Sequence, residues 1–132
     1  MLEKIIELTN LYIDNMPKKE RKKYGQFFTS METAKFMANL YDAPINKQSV
    51  TVLDAGAGSG ILSCAFIEWA EQFETVKEIE LTCYENDDNV LGLLRANLEY
   101  CKTHSSKIIK YNIQIENYIT SQYLDFNYMI GG

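Results

Sequence analysis

VLDAGAGSG, residues 52–60, joins a β-branched run to a turn in which Gly56, Gly58 and Gly60 alternate. ILSCAFIEWAEQF (residues 61–73) follows at once and reads as a helix. Glycine has no Cβ, so the backbone of such a turn can fold tightly and approach a ligand closely. Three alternating glycines are entropically unfavourable, and a plain turn would need only one. The segment is not the dinucleotide fingerprint, because Ile61 stands where the third glycine of GxGxxG would be. It is not a P-loop either, because no Gly-Lys-Ser/Thr follows.

Downstream the chain alternates. EIELTCYE (78–85) predicts a strand and DNVLGLLRANLEYCK (88–102) a helix, with Asp87 or Asp88 as its N-cap. KIIKYNIQIE (107–116) predicts a strand, and FNYMIG (126–131) a last short one. Strand and helix in alternation predict an α/β fold with a parallel sheet and right-handed crossovers. Upstream, residues 2–15 form an amphipathic helix carrying Leu2, Ile5, Ile6, Leu8, Tyr12 and Ile13 at helical spacing, ended before Pro17. KKERKKYGQFFTS (18–30) is a basic connector that closes on aromatics. A second helix is expected from Thr29 or Ser30, where Thr29 and Glu32 fit a capping box. Ala34, Met37, Ala38 and Tyr41 would line its buried face. It ends before DAPIN (42–46).

Glu85 closes the second strand, 31 residues beyond Asp54. An acidic group at that place in adenosine-binding α/β folds accepts bonds from both ribose hydroxyls. The spacing exceeds the dinucleotide value of about 20 residues, which fits a longer intervening helix. Asp54 and Glu85 would flank a ligand rather than a scissile bond, so hydrolysis is not expected. His104, the only histidine, falls in a polar helix-to-strand connection with no Ser-His-Asp arrangement around it.

The bulk properties bound the rest. The 132 residues are one domain's worth of chain, 46% hydrophobic and 23% charged. That balance excludes a disordered, collagen-like or disulfide-scaffold protein. The net charge of −5 is the wrong sign for tight nucleic-acid binding by this chain alone. Cys64, Cys83 and Cys101 show no CxxC spacing, so neither a zinc site nor a disulfide framework is expected, and reduced thiols in a cytoplasmic protein are. The N-terminus has no signal-peptide pattern, and GILSCAFI, the longest apolar stretch, stops at Glu68, too soon to span a bilayer. The basic run of Lys18, Lys19, Arg21, Lys22 and Lys23 reads either as a solvated helix end or as a contact to phosphate.

At this point a resemblance becomes specific. DAGAGSG (54–60) resembles motif I of the S-adenosyl-L-methionine-dependent methyltransferases, and YGQFFTS (24–30) resembles the GQ[FY][FY]TP segment that precedes it in N6-adenine DNA methyltransferases of restriction-modification systems. LDFNYMIG (124–131) resembles the strand leading into their catalytic tetrapeptide. The resemblance runs from about Lys22 to the end of the chain.

It implies a Rossmann-like methyltransferase fold with strand order 3-2-1-4-5-7-6. This chain would supply the first half of the sheet, preceded by N-terminal helices. Residues 1–45 would be a helical segment carrying GQFFT, and residues 46–132 a partial α/β domain truncated before the catalytic motif. Strand four would then be an exposed edge, prone to pair with a second copy.

The resemblance also implies S-adenosyl-L-methionine as cofactor. Gly25, Gln26, Phe27, Phe28 and Thr29 would wrap its methionine end. Asp54, Ala55, Gly56 and Gly58 would lie under its amino-acid and sulfonium region. Glu85 would hold the ribose, with Asn86 beside the adenine. Asn117 and Tyr118 stand where the family has Asp-Phe around the adenine ring, and Ser30 stands where it has Pro. Gly132 occupies the place of the first residue of the catalytic tetrapeptide, so no catalytic residue is expected here. DNA would be bound by regions beyond this chain. The alternatives are part of a protein glutamine methyltransferase, which the GQFFT segment disfavours, and a non-catalytic interaction module.

Overall fold

The structure, a computed structural model, describes residues 1–19, 21, 31–38, 47–116 and 119. Helix α1 (Leu2–Asp14) and helix α2 (Met31–Ala38) precede the alternating region. Strand β1 (Ser49–Asp54), helix α3 (Ile61–Ala70), strand β2 (Glu78–Tyr84), helix α4 (Asp88–His104) and strand β3 (Ile108–Gln114) follow. The three strands form one parallel sheet with β2 in the middle. This is the α/β architecture that the alternation predicts. The expected fourth strand lies outside the described residues.

Pairing runs Val50 to Ile79 to Ile109, Val52 to Leu81 to Tyr111, and Asp54 to Cys83 to Ile113. Side chains alternate across a strand, so these residues share one face. That face packs with α3 and α4 into a core containing Ile61, Cys64, Ile67, Leu94, Leu98 and Cys101. The opposite face carries Thr51, Leu53, Glu80, Lys110 and Asn112, all exposed, and Lys110 pairs with Glu78 at 2.6 Å. Exposed ion pairs of this kind contribute little to stability.

Helix α3 is apolar around most of its circumference because it is sandwiched. The sheet lies on one side, and α1 and α2 pack on the other. Helix α4 starts as its sequence predicts: the Asp87 carboxylate accepts from the Asn89 N–H at 3.0 Å, the N-cap bond. It runs further than expected. His104 is its last residue, stacked on Tyr100 with a ring nitrogen 2.8 Å from the Tyr100 carbonyl. The corrected position has a physical reason: a cation-capable ring and Lys102 both suit the negative end of a helix dipole. The turn into β3 is tied down by Glu71, whose carboxylate accepts from both Ser105 and Ser106 hydroxyls.

In α1, Leu2 and Ile5 are fully buried, whereas Ile6, Leu8, Tyr12 and Ile13 are only half-buried. Thr9 joins the buried face, its hydroxyl donating to the Ile5 carbonyl at 2.8 Å. The Tyr12 hydroxyl donates to the Asn89 carbonyl and links α1 to α4. No helix among the described residues is long and apolar enough to cross a membrane.

All three cysteines are free and fully buried. The Cys101 thiol donates to the Cys64 sulfur, and that bond together with burial raises the Cys64 pKa. Burial pushes Cys83 up to about 11. Only the thiolate is nucleophilic. The folded chain is therefore expected to show no thiol reacting with Ellman's reagent within minutes, and all three once unfolded in guanidinium. A thiol that reacts at a free-cysteine rate in the native state would contradict this packing.

Candidate functional site

The carboxyl ends of the three strands meet at one edge of the sheet. β1 delivers Asp54, after which Ala55 and Gly56 lie exposed on the rim. The chain then dives inward. The Ala57 N–H donates to the Tyr84 carbonyl at 3.0 Å, fastening the turn to β2. Gly58 (φ +56°) and Gly60 (φ +87°) take the left-handed conformation that other residues adopt at a cost. At Gly60 space is tight as well: a Cβ there would lie 3.0 Å from Leu94 Cδ1, which would have to shift. Gly56 differs. Its φ is not positive, and no described residue lies within 4 Å of where its Cβ would stand. Among the described residues, neither backbone conformation nor a neighbour demands glycine there.

Glu85 sits just past β2 and is only 7% exposed. Its Oε1 accepts the Gly58 N–H at 2.8 Å and its Oε2 accepts the Asp87 N–H at 3.0 Å. The Glu85 N–H in turn donates to the Gln114 carbonyl at 3.0 Å. One residue thus clips together the glycine-rich loop, the start of α4 and the end of β3. A carboxylate offers about four acceptor positions, so two remain for a ligand. Asn86, beside it, is exposed.

Asp54 is half-buried. Its Oδ2 accepts from the Ser63 hydroxyl at 2.7 Å, and the Gly56 backbone also bonds its carboxylate. Burial raises its pKa above the ordinary 3.8, the Ser63 and Gly56 bonds oppose that, and the neighbouring Glu85 adds to it. The site is a partly desolvated acidic pair, suited to a cation.

The sign of the pH effect follows. A carboxyl with a raised folded pKa holds its proton longer in the native state than in the unfolded one. Its contribution to stability therefore falls as pH rises from about 4 through the folded pKa and is flat above it. The stability of the wild type relative to Asp54→Asn is expected to decline over that window, measured as urea midpoints between about pH 4 and 7. Parallel pH profiles for the two proteins would contradict it.

Asp54, Ala55, Gly56, Gly58, Glu85 and Asn86 lie together at the carboxyl ends of β1 and β2. Gly25, Gln26, Phe27, Phe28, Thr29, Asn117 and Tyr118 lie outside the described residues. Sequence reading missed three contributors. Ser63 holds Asp54 from the first turn of α3. Asn97, fully buried in α4, donates to the Ser59 carbonyl at 2.8 Å, and Ser59 itself is buried. The helical period puts Asn97 on the same face as Leu94 and Leu98, and a polar residue in that apolar row was the available signal.

Two comparisons bear on what such a site serves. The family model described as N-6 DNA Methylase matches residues 7–127. The chain is also 34% identical over 102 residues to the Type II methyltransferase M.PstI of Providencia stuartii. That match covers 77% of this chain and 19% of the relative, so the chain spans about a fifth of the relative's length.

Proposed function

The chain belongs to the N-6 DNA methylase family, and on that premise we propose that it is the S-adenosyl-L-methionine-binding part of an adenine-N6 DNA methyltransferase of a restriction-modification system. The observation that carries the reading is the open cradle at Gly56 beside two carboxylates. An unfilled Cβ position leaves room for a ligand to lie on the backbone. Asp54, bonded by the Gly56 backbone, would bring negative charge beside that room, as a cationic sulfonium and an ammonium require. Glu85 keeps acceptor capacity for ribose hydroxyls.

The residues fit the cofactor. Asp54, Ala55, Gly56 and Gly58 would hold its amino-acid and sulfonium end, Glu85 its ribose, and Asn86 the edge of its adenine. Gly25, Gln26, Phe27, Phe28 and Thr29 would close over the methionine end, and Asn117 and Tyr118 would meet the adenine. When bound, S-adenosyl-L-methionine supplies a methyl group already activated on sulfur. What these residues contribute is alignment and a fixed negative field. Asp54 must be ionised to do so, so binding weakens as pH falls through its raised pKa.

The 132 residues contain no Asn-Pro-Pro-Tyr-like tetrapeptide. We therefore assign methyl transfer to the protein in full, with this chain binding cofactor but inactive alone. DNA would be held by other regions, since the net charge here is −5. Pairing between copies at the edge of the expected fourth strand belongs to the same proposal, and a clean monomer in sedimentation would contradict that part. A cytoplasmic setting is supported by three free, buried thiols.

The test is to incubate the protein in full with methyl-labelled S-adenosyl-L-methionine and duplex DNA, then digest the DNA to nucleosides. Label in N6-methyladenine is expected. Label on a protein glutamine, or on no acceptor, would overturn the proposal.

A further inference from the structure

Asn97 is fully buried, yet its Oδ1 has no hydrogen-bond partner among the described residues. Its neighbours on the buried face of α4 are Val90, Leu94, Leu98 and Cys101. A buried acceptor without a partner is unfavourable, and a leucine of similar size would remove the problem. Among the described residues, the one side-chain bond of Asn97 runs to the Ser59 carbonyl. The peptide it grips is a special one. It joins Ser59 to Gly60, and Gly60 and the nearby Gly58 both have positive φ.

On the Gly60 side of this peptide no Cβ opposes rotation. The peptide is held at both ends: Asn97 takes its carbonyl, and its N–H donates to the Ala57 carbonyl at 2.8 Å. Leu94 and Leu98 lie next to Gly60, 3.0 and 3.7 Å from where its Cβ would stand. One helical face, spaced i, i+3 and i+4, forms the seat on which the loop rests. The loop is also pinned by Glu85 on the Gly58 N–H and by the Tyr84 carbonyl on the Ala57 N–H.

We propose that Asn97 is a positioning residue that fixes the Ser59–Gly60 peptide, and through it the loop surface that receives the amino-acid end of the cofactor. The proposal rests on the reading of that loop given above. Asn97 touches no ligand. Its effect is carried by the carbonyl of Ser59, and it falls on the part of the ligand that lies over the loop rather than on the adenosine part near Glu85 and Asn86.

The test uses Asn97→Leu, with Asn97→Ala as a second variant in case the larger side chain disturbs packing. Each is titrated with S-adenosylhomocysteine and with 5′-methylthioadenosine, which lacks the amino-acid end. Amide hydrogen exchange of the free protein is followed by NMR. The expected result is an affinity for S-adenosylhomocysteine at least about tenfold weaker, with 5′-methylthioadenosine unchanged within about twofold. Exchange at Gly58 and Gly60 should quicken by at least about tenfold while the β1 and β2 amides keep their protection. A merely structural role would weaken both ligands together, or neither, and would loosen the fold as a whole. Either outcome overturns the proposal. A wild type that binds neither ligand would instead overturn the cofactor reading, and unchanged exchange at Gly58 and Gly60 would overturn the role of Asn97 in the loop.

Discussion

Replacing Glu85 by alanine is expected to lower the unfolding free energy by about 3 kcal/mol, because two hydrogen bonds to a buried carboxylate are lost together and each is worth ~1.5–3 kcal/mol. The Gly58 and Asp87 N–H groups are left without their acceptor at one stroke. Gly58 anchors the loop and Asp87 caps α4, so the loss spreads to both. Urea unfolding should show a lower midpoint with an unchanged slope. Cofactor affinity should fall further than stability alone would require, by about 100-fold or more, since the ribose partner and the loop geometry disappear together. Glu85→Gln should lie between. Its amide oxygen can still accept from Gly58, while its NH2 would face the Asp87 N–H, donor against donor. A Glu85→Ala protein of wild-type stability would refute the clip.

Gly60 and Gly56, two of the three glycines of the turn, should part company. Gly60→Ala is expected to destabilise by about 2–3 kcal/mol, from ~1–2 kcal/mol of left-handed strain plus the displacement of Leu94. The strain follows from φ +87° and the clash from the 3.0 Å approach. Removing the clash with Leu94→Ala in the same chain should recover part of the loss, a coupling of about 0.5–1 kcal/mol in a double-mutant cycle. Gly56→Ala should leave stability within about 0.5 kcal/mol, since neither φ nor space opposes a methyl group. It should nevertheless weaken cofactor binding by about tenfold or more, because the methyl group enters the open cradle. Equal effects of the two substitutions on stability would show that the open space at Gly56 has been misjudged.

Much of this was legible in the chain because its causes are local. The β-branched run into alternating glycines marks β1 and its turn, and the Asp87-Asp88 pair marks the start of α4, with Asp87 the cap. The clustering of Asp54, Gly56, Gly58 and Glu85 follows from strands that end on one side of a parallel sheet. What stayed hidden depends on partners distant in sequence. Asn97 meets Ser59 from 38 residues away, and Glu71 meets Ser105 from 34. Thr9 hides its hydroxyl on a carbonyl of its own helix, so a polar residue occupies the buried stripe unannounced. The buried clip made by Glu85 was also unforeseen. Sequence marks the residue for a ligand but not for the backbone amides it already serves.

The most direct measurement is calorimetric titration of the folded chain with S-adenosyl-L-methionine and S-adenosylhomocysteine, beside Gly56→Ala. Saturable one-to-one binding, weakened in the variant while its unfolding midpoint stays put, is expected. Heats of dilution alone from a chain shown to be folded, or a Gly56→Ala protein that binds as well as wild type, would contradict the cofactor site.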